Sequence, residues 1–113
     1  MAPQSLLPLS EVTFYILLSL APVAKHGYAI LRDVQGLSRG ELRLSTSTLY
    51  DALERLLAQG LIERVEEEGS QIGGRRRKIY RLNKKGAGLL AAEVNRMQSI
   101  LEVAVPRLEE TIL

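Results

Sequence analysis

Apolar positions along this chain fall into helical and extended patterns that can be read in order. Val12, Phe14, Tyr15, Ile16, Leu17, Leu18 and Leu20 cover nearly every side of a first helix, the pattern of a helix buried all round. Ser10 can cap it, Glu11 suits its first turn, and Pro22 ends it. His26 and Gly27 mark a turn into a second helix with an inward stripe of Ile30, Leu31, Val34 and Leu37. Gly36 and Gly40 bracket a weak helix end near Ser38. Leu42, Arg43 and Leu44 alternate as a very short strand would. In the third helix Leu49, Ala52, Leu53, Leu56 and Leu57 recur at i, i+3, i+4, i+7 and i+8. Ser45 or Thr46 supplies its N-cap and Gly60 its stop. Residues 61–67 and 75–82 read as two strands around a Gly-rich tip at 68–74. Asn83 then caps a long final helix, with Leu90, Val94, Met97, Leu101, Ala104, Leu108 and Ile112 spaced close to a heptad seam. Pro106 should kink or split that helix, or open a short closing one.

The predicted fold is therefore mainly α with a small β-hairpin: a winged helix-turn-helix followed by a long C-terminal helix. It divides into an N-terminal arm at 1–9, a winged unit at 10–82 and a dimerisation helix at 83–113. At 113 residues the chain suits a single core. Its 46% hydrophobic and 25% charged content is that of an ordinary soluble globule.

Net charge is only +2, so the distribution of charge decides more than its sum. Between Arg75 and Lys85 lie seven cations and no carboxylate, just after the glutamates 63 and 66–68. Such a local positive field suits a polyanion docking on one face. The chain has no cysteine, which excludes disulfides and thiolate chemistry. One histidine, His26, cannot build a transition-metal site, and a turn role suits it better. Glu66, Glu67 and Glu68 lack a surrounding cation-binding loop. No catalytic constellation is present, and no metal or cofactor is expected. The longest apolar run, residues 14–24, is too short to span a bilayer. No membrane association is expected, and the chain reads as cytoplasmic.

The candidate chemistry is therefore duplex binding. Ser45, Thr46, Ser47 and Thr48 crowd the start of the third helix, where free N–H groups and the helix dipole favour phosphate. One hydroxyl caps, and the others can reach DNA. Tyr50 faces outward by periodicity, where it can bond a phosphate or pack against the wing or second helix. Tyr28 has the same two options. Arg55, two turns in, can reach a phosphate or pair with Asp51. Arg75, Arg76, Arg77 and Lys78 lie in the second hairpin strand, where alternation keeps all four from facing one way. A charge run of this kind is often only a solvated strand. Beside a helix-turn-helix it suits phosphate contacts.

Four segments carry a family resemblance: His26-Gly27-Tyr28-Ala29-Ile30, the stretch from Ser45 to Leu56, Gly60-Leu61-Ile62-Glu63, and Gly74-Arg75-Arg76-Arg77-Lys78-Ile79-Tyr80-Arg81-Leu82 followed by Gly86. Together they resemble the PadR family of transcriptional regulators, in its short form with a single C-terminal helix. The resemblance implies a dimeric regulator, usually a repressor, often relieved by a small molecule. Ser47 stands where the family commonly has glycine and Asp51 where it commonly has proline.

The final helix has two readings. It can cover the first helix of its own chain, or it can meet a second copy through Leu90, Val94, Met97, Leu101, Ala104 and Leu108. A long amphipathic helix after a small domain favours the homodimer. Two third helices would then enter successive major grooves about 34 Å apart on a palindromic operator. A protein-interaction module that never meets nucleic acid is the alternative, favoured by Asp51 and Glu54 on the outer face.

Overall fold

The computed structural model describes residues 6–72 and 75–112, with the backbone alone for 67–72 and 75–77. Among the described residues the order is α1 (Glu11–Leu20), β1 (Lys25–His26), α2 (Gly27–Leu37), α3 (Thr46–Ala58), β2 (Ile62–Ile72), β3 (Arg75–Leu82) and α4 (Lys84–Ile112). The three strands form one antiparallel sheet in the order β1-β3-β2. This is the winged arrangement that the apolar pattern predicts.

Side-chain caps start three of the helices. Ser10 accepts from the Thr13 amide at 3.2 Å, Ser45 from the Thr48 amide at 3.1 Å, and Asn83 from the Gly86 amide at 2.8 Å. Each bond satisfies one of the donors that a helix leaves unpaired at its start. Ile16, Leu17 and Leu20 of α1, Ile30 and Val34 of α2, and Leu49, Leu53 and Leu56 of α3 meet in the core. Tyr80 closes the core from the sheet, and Leu89 and Leu90 close it from α4. One polar group lies within this apolar setting. Ser19 is buried and donates to Asp33 at 2.7 Å, and Lys25 reaches both Asp33, at 3.5 Å, and the Ser19 carbonyl. The cluster ties α1, β1 and α2 together.

Three expectations change. The short strand is Lys25–His26, paired with Tyr80 and Ile79, and not residues 42–44. Leu42 and Leu44 alternate because both lean on the core, but no strand runs beside them. α4 continues through Pro106. The proline removes the N–H that would bond the Glu102 carbonyl, and in this exposed stretch water can take its place. Leu90 is 7% exposed and belongs to the chain's own core, because α4 packs on α1 before it leaves the domain. The arm residues 1–5 and the tip residues Gly73 and Gly74 lie outside the described residues.

Glu93 marks the point where α4 leaves the core. Its carboxylate is fully buried and accepts from the Leu9 amide at 2.7 Å and from the Arg96 guanidinium. The Arg96 bond holds the Glu93 carboxyl below the ordinary value of 4.5, against desolvation, with Leu9 helping. A depressed folded pKa means that the ionised form stabilises the fold above pH 4.5 and that this contribution is lost as pH falls through the folded value. Glu93→Gln is therefore expected to lower stability by about 1–3 kcal/mol at neutral pH. Urea denaturation at a series of pH values should show the gap from wild type closing under acid conditions. A gap independent of pH would remove the charge from the explanation.

Candidate nucleic-acid interface

The outer surface of α3 starts at its cap. The Ser45 hydroxyl is committed there: it accepts from the Thr48 amide, donates to Thr48 Oγ1 at 2.9 Å and lies 3.2 Å from Ser47 Oγ. Thr46, Ser47 and Thr48 are exposed around it. One hydroxyl thus does the capping and its neighbours face solvent at the positive end of the helix dipole.

Tyr50 has both of the surroundings the sequence leaves open. Its side is partly exposed, while its phenol rests on the start of α2. A Cβ added at Gly27 would fall 2.5 Å from the Tyr50 hydroxyl oxygen, so any larger residue there would push the ring from this seat. Gly27 reads as a turn residue in the sequence, and no local signal distinguishes a seat for a distant ring from a turn. Tyr28, the next residue, is 66% exposed, with the Arg32 guanidinium 6.0 Å from its ring centroid. That is within range of a cation–π contact.

The wing's root is tied to α3 one turn beyond Tyr50. Glu54 of α3 pairs with Arg64 of β2 at 3.6 Å. Arg64 also hydrogen-bonds the buried Tyr80 phenol. Burial pushes that phenol's pKa up, Tyr50 adds to the rise, and Arg64 opposes it. Helix and wing are thus joined by a polar network. The pairing Glu63↔Arg81 carries an ion pair at 2.7 Å, so Arg81 is engaged within the hairpin. From Glu66↔Lys78 the register slips, to resume at Gln71↔Arg76 and Ile72↔Arg75. β3 therefore carries the backbone of Arg75, Arg76 and Arg77 along the wing, and the side chains of these three lie outside the described residues. Lys78 is exposed, and its carbonyl lies 3.3 Å from His26 Nδ1.

Arg55 departs from the expectation. Its guanidinium donates to Thr13 Oγ1 at 2.9 Å, toward the start of α1 and away from Asp51. Position 55 adjoins the inward Leu56, and its long side chain wraps the edge of α3 to reach the neighbouring helix. Among the described residues no cluster of three or more metal-ligating side chains occurs. None of the described helices is long and apolar enough to cross a membrane.

Residues 16–92 match the transcriptional regulator PadR-like family. The chain belongs to that family. PadR-like proteins are transcriptional regulators and not enzymes. No curated protein matches the chain. Solved structures do. A PadR family transcription regulator from Clostridium difficile R20291 is 28% identical with a TM-score of 0.72, over 88% of this chain and 99% of that one. A PadR family regulator from Eggerthella lenta DSM 2243 is 29% identical with a TM-score of 0.64, over 88% and 82%. Bacillus subtilis PadR, solved in complex with operator DNA, shares the fold at 21% identity and a TM-score of 0.66, over 75% of this chain and 48% of that one.

Proposed function

We propose that this PadR-like regulator binds duplex DNA as a homodimer, in the cytoplasm, on an inverted-repeat operator. The observation that carries the reading is the setting of Tyr50. Its ring rests on the start of α2, and one turn on Glu54 pairs with Arg64 of the wing, which supports a surface shared by α3 and the wing. Thr46, Ser47, Thr48 and Tyr50 would meet backbone and base edges in the major groove, with Tyr28 beside them. Arg75, Arg76, Arg77 and Lys78 would meet flanking phosphates. Family membership and the operator complex of the Bacillus subtilis protein support this reading.

The winged unit at 10–82 would be the DNA-binding part and 83–113 the dimerisation part. Exposed apolar side chains along α4, including Leu101, Val105 and Leu108, support a second copy as partner. Repression relieved by a small molecule rests on the family resemblance alone. Such a ligand would sit between protomers and act by favouring one angle between the two winged units. The protein-interaction alternative loses much of its support, because Glu54 is neutralised by Arg64 and Asp51 is left as the anion on that face.

A salt titration tests the reading. Wild type should bind duplex DNA with an affinity that falls steeply with salt. Changing Arg75, Arg76 and Arg77 to alanine should flatten the log–log slope by about 1 for each residue on a phosphate. Duplex binding that is absent or indifferent to salt would overturn it.

A further inference from the structure

A second cationic feature lies on the helix-turn-helix itself. Among the described residues about half of the cations already have protein partners. Lys25 holds Asp33, Arg55 holds Thr13, Arg64 holds Glu54, Arg81 holds Glu63, Lys85 holds the Gln59 carbonyl and Arg96 holds Glu93. Arg32 and Arg39, like Arg43, Lys84 and Arg107, have no carboxylate partner among these residues, and both are exposed; what sets these two apart is a shared cleft. Asp33, which shares a shallow cleft with Arg32, is taken by Lys25.

Arg32 and Arg39 line one open cleft of about 530 Å³, with Gln35, Gly36 and Gly40. The cleft lies where α2 gives way to the turn. Arg39 has a φ of 54°, in the left-handed region that disfavours a side chain. It is followed by Gly40 at 81°. The two residues close α2, with the Arg39 amide on the Gly36 carbonyl at 3.0 Å and the Gly40 amide on the Gln35 carbonyl at 2.8 Å. Glycine would occupy position 39 with less strain, so an arginine there gives up stability. Strain of this kind persists where the side chain has work elsewhere.

The cleft also continues the exposed face of α2 that starts at Tyr28. Tyr50 touches Gly27, Tyr28 follows it in sequence, and Arg32 lies over the Tyr28 ring. The path therefore runs from Tyr28 along the solvent side of α2 to the turn, opposite the buried Ile30 and Val34. The start of α2 lies beside the wing, where β1 pairs with β3, and the cleft lies at the other end of the helix.

We infer that Arg32 and Arg39 form a second phosphate-binding ridge, which grips the DNA backbone along the solvent side of α2 and its C-terminal turn. The inference rests on the DNA-binding reading above and adds two residues to it. A guanidinium presents a planar fork of donors that suits phosphate, and Arg32, 6.0 Å over the Tyr28 ring, has no carboxylate to compete for them.

The test uses the full chain and a mixed-sequence duplex of about 30 base pairs, roughly three helical turns. Arg32→Gln and Arg39→Gly are each expected to flatten the salt slope of binding by about 1, uniformly across sequences. Arg39→Gly should at the same time keep or raise the melting temperature, because it relieves the backbone, which separates lost charge from lost fold. Unchanged slopes in both variants, beside a flattened slope in the Arg75, Arg76 and Arg77 variant, would overturn the ridge and leave the DNA-binding reading standing. A wild type without salt-dependent binding would overturn both.

Discussion

Gly86→Ala is expected to destabilise the protein by about 2 kcal/mol. A Cβ at position 86 would lie 2.1 Å from the Leu61 carbonyl oxygen and 2.7 Å from Leu82 Cδ1. The first obstacle is backbone and cannot rotate away. That carbonyl also accepts from the Asn83 amide at 3.3 Å, so displacing it disturbs the cap of α4. Alanine's better helix propensity returns at most about 1 kcal/mol. The melting temperature followed by circular dichroism should drop by on the order of 10 °C. A variant that melts with wild type would mean that α4 can lift from Leu61 without cost.

This joint also has a mechanical role. Asn83 Nδ2 donates to the Gly60 carbonyl at 2.7 Å and Lys85 to the Gln59 carbonyl at 3.0 Å. The start of α4 is thus fastened to the C-terminal end of α3, with a cation on carbonyls that carry the negative end of the helix dipole. Any rotation of α4 at a protomer interface would be passed directly to α3. Gly86 lets the two elements approach closely enough for these bonds to form.

Local pattern carries much of this fold. The i, i+3, i+4 leucines, Ser45 and Gly60 mark α3 because each signal acts within one helix. The all-round apolar run marks α1 as buried for the same reason. What the sequence hides depends on partners far along the chain. β1 is two residues long, too short for any period, and exists because β3 offers it an edge. Glu93 is a polar residue in a helical stretch until Leu9, 84 positions earlier, returns to bond it. Gly27 has an ordinary helical position, and only the Tyr50 ring explains its missing side chain. Arg55 has the spacing of a surface cation and the reach to find Thr13. In the site, the hydroxyl cluster and Tyr50 were legible from helix periodicity. Arg32 and Arg39 were not, because isolated arginines form no charge run.

Leu101→Glu is expected to convert the protein from dimer to monomer while leaving each protomer folded. The heptad spacing of α4 spans two environments that the pattern itself cannot separate. Leu89 and Leu90 are buried in the winged core, whereas Leu101 is 57% exposed and Leu108 55% exposed. Beyond Glu93 the helix runs for another 19 residues, about 28 Å at 1.5 Å per residue. Within one protomer Leu101 has little packing to lose, so the substitution should change protomer stability by no more than about 0.5 kcal/mol. In a symmetric seam it sets a carboxylate from each copy against apolar neighbours, and neither has a partner to repay its desolvation. Light scattering should report the monomer mass. Operator affinity should fall on the order of 100-fold or more, since two half-sites no longer bind as one. Leu90→Glu is the contrast: it should unfold the winged core, because that leucine is packed inside the chain. A Leu101→Glu protein that remains dimeric would move the interface off this face of α4, and the proposed spacing of the two α3 helices would go with it.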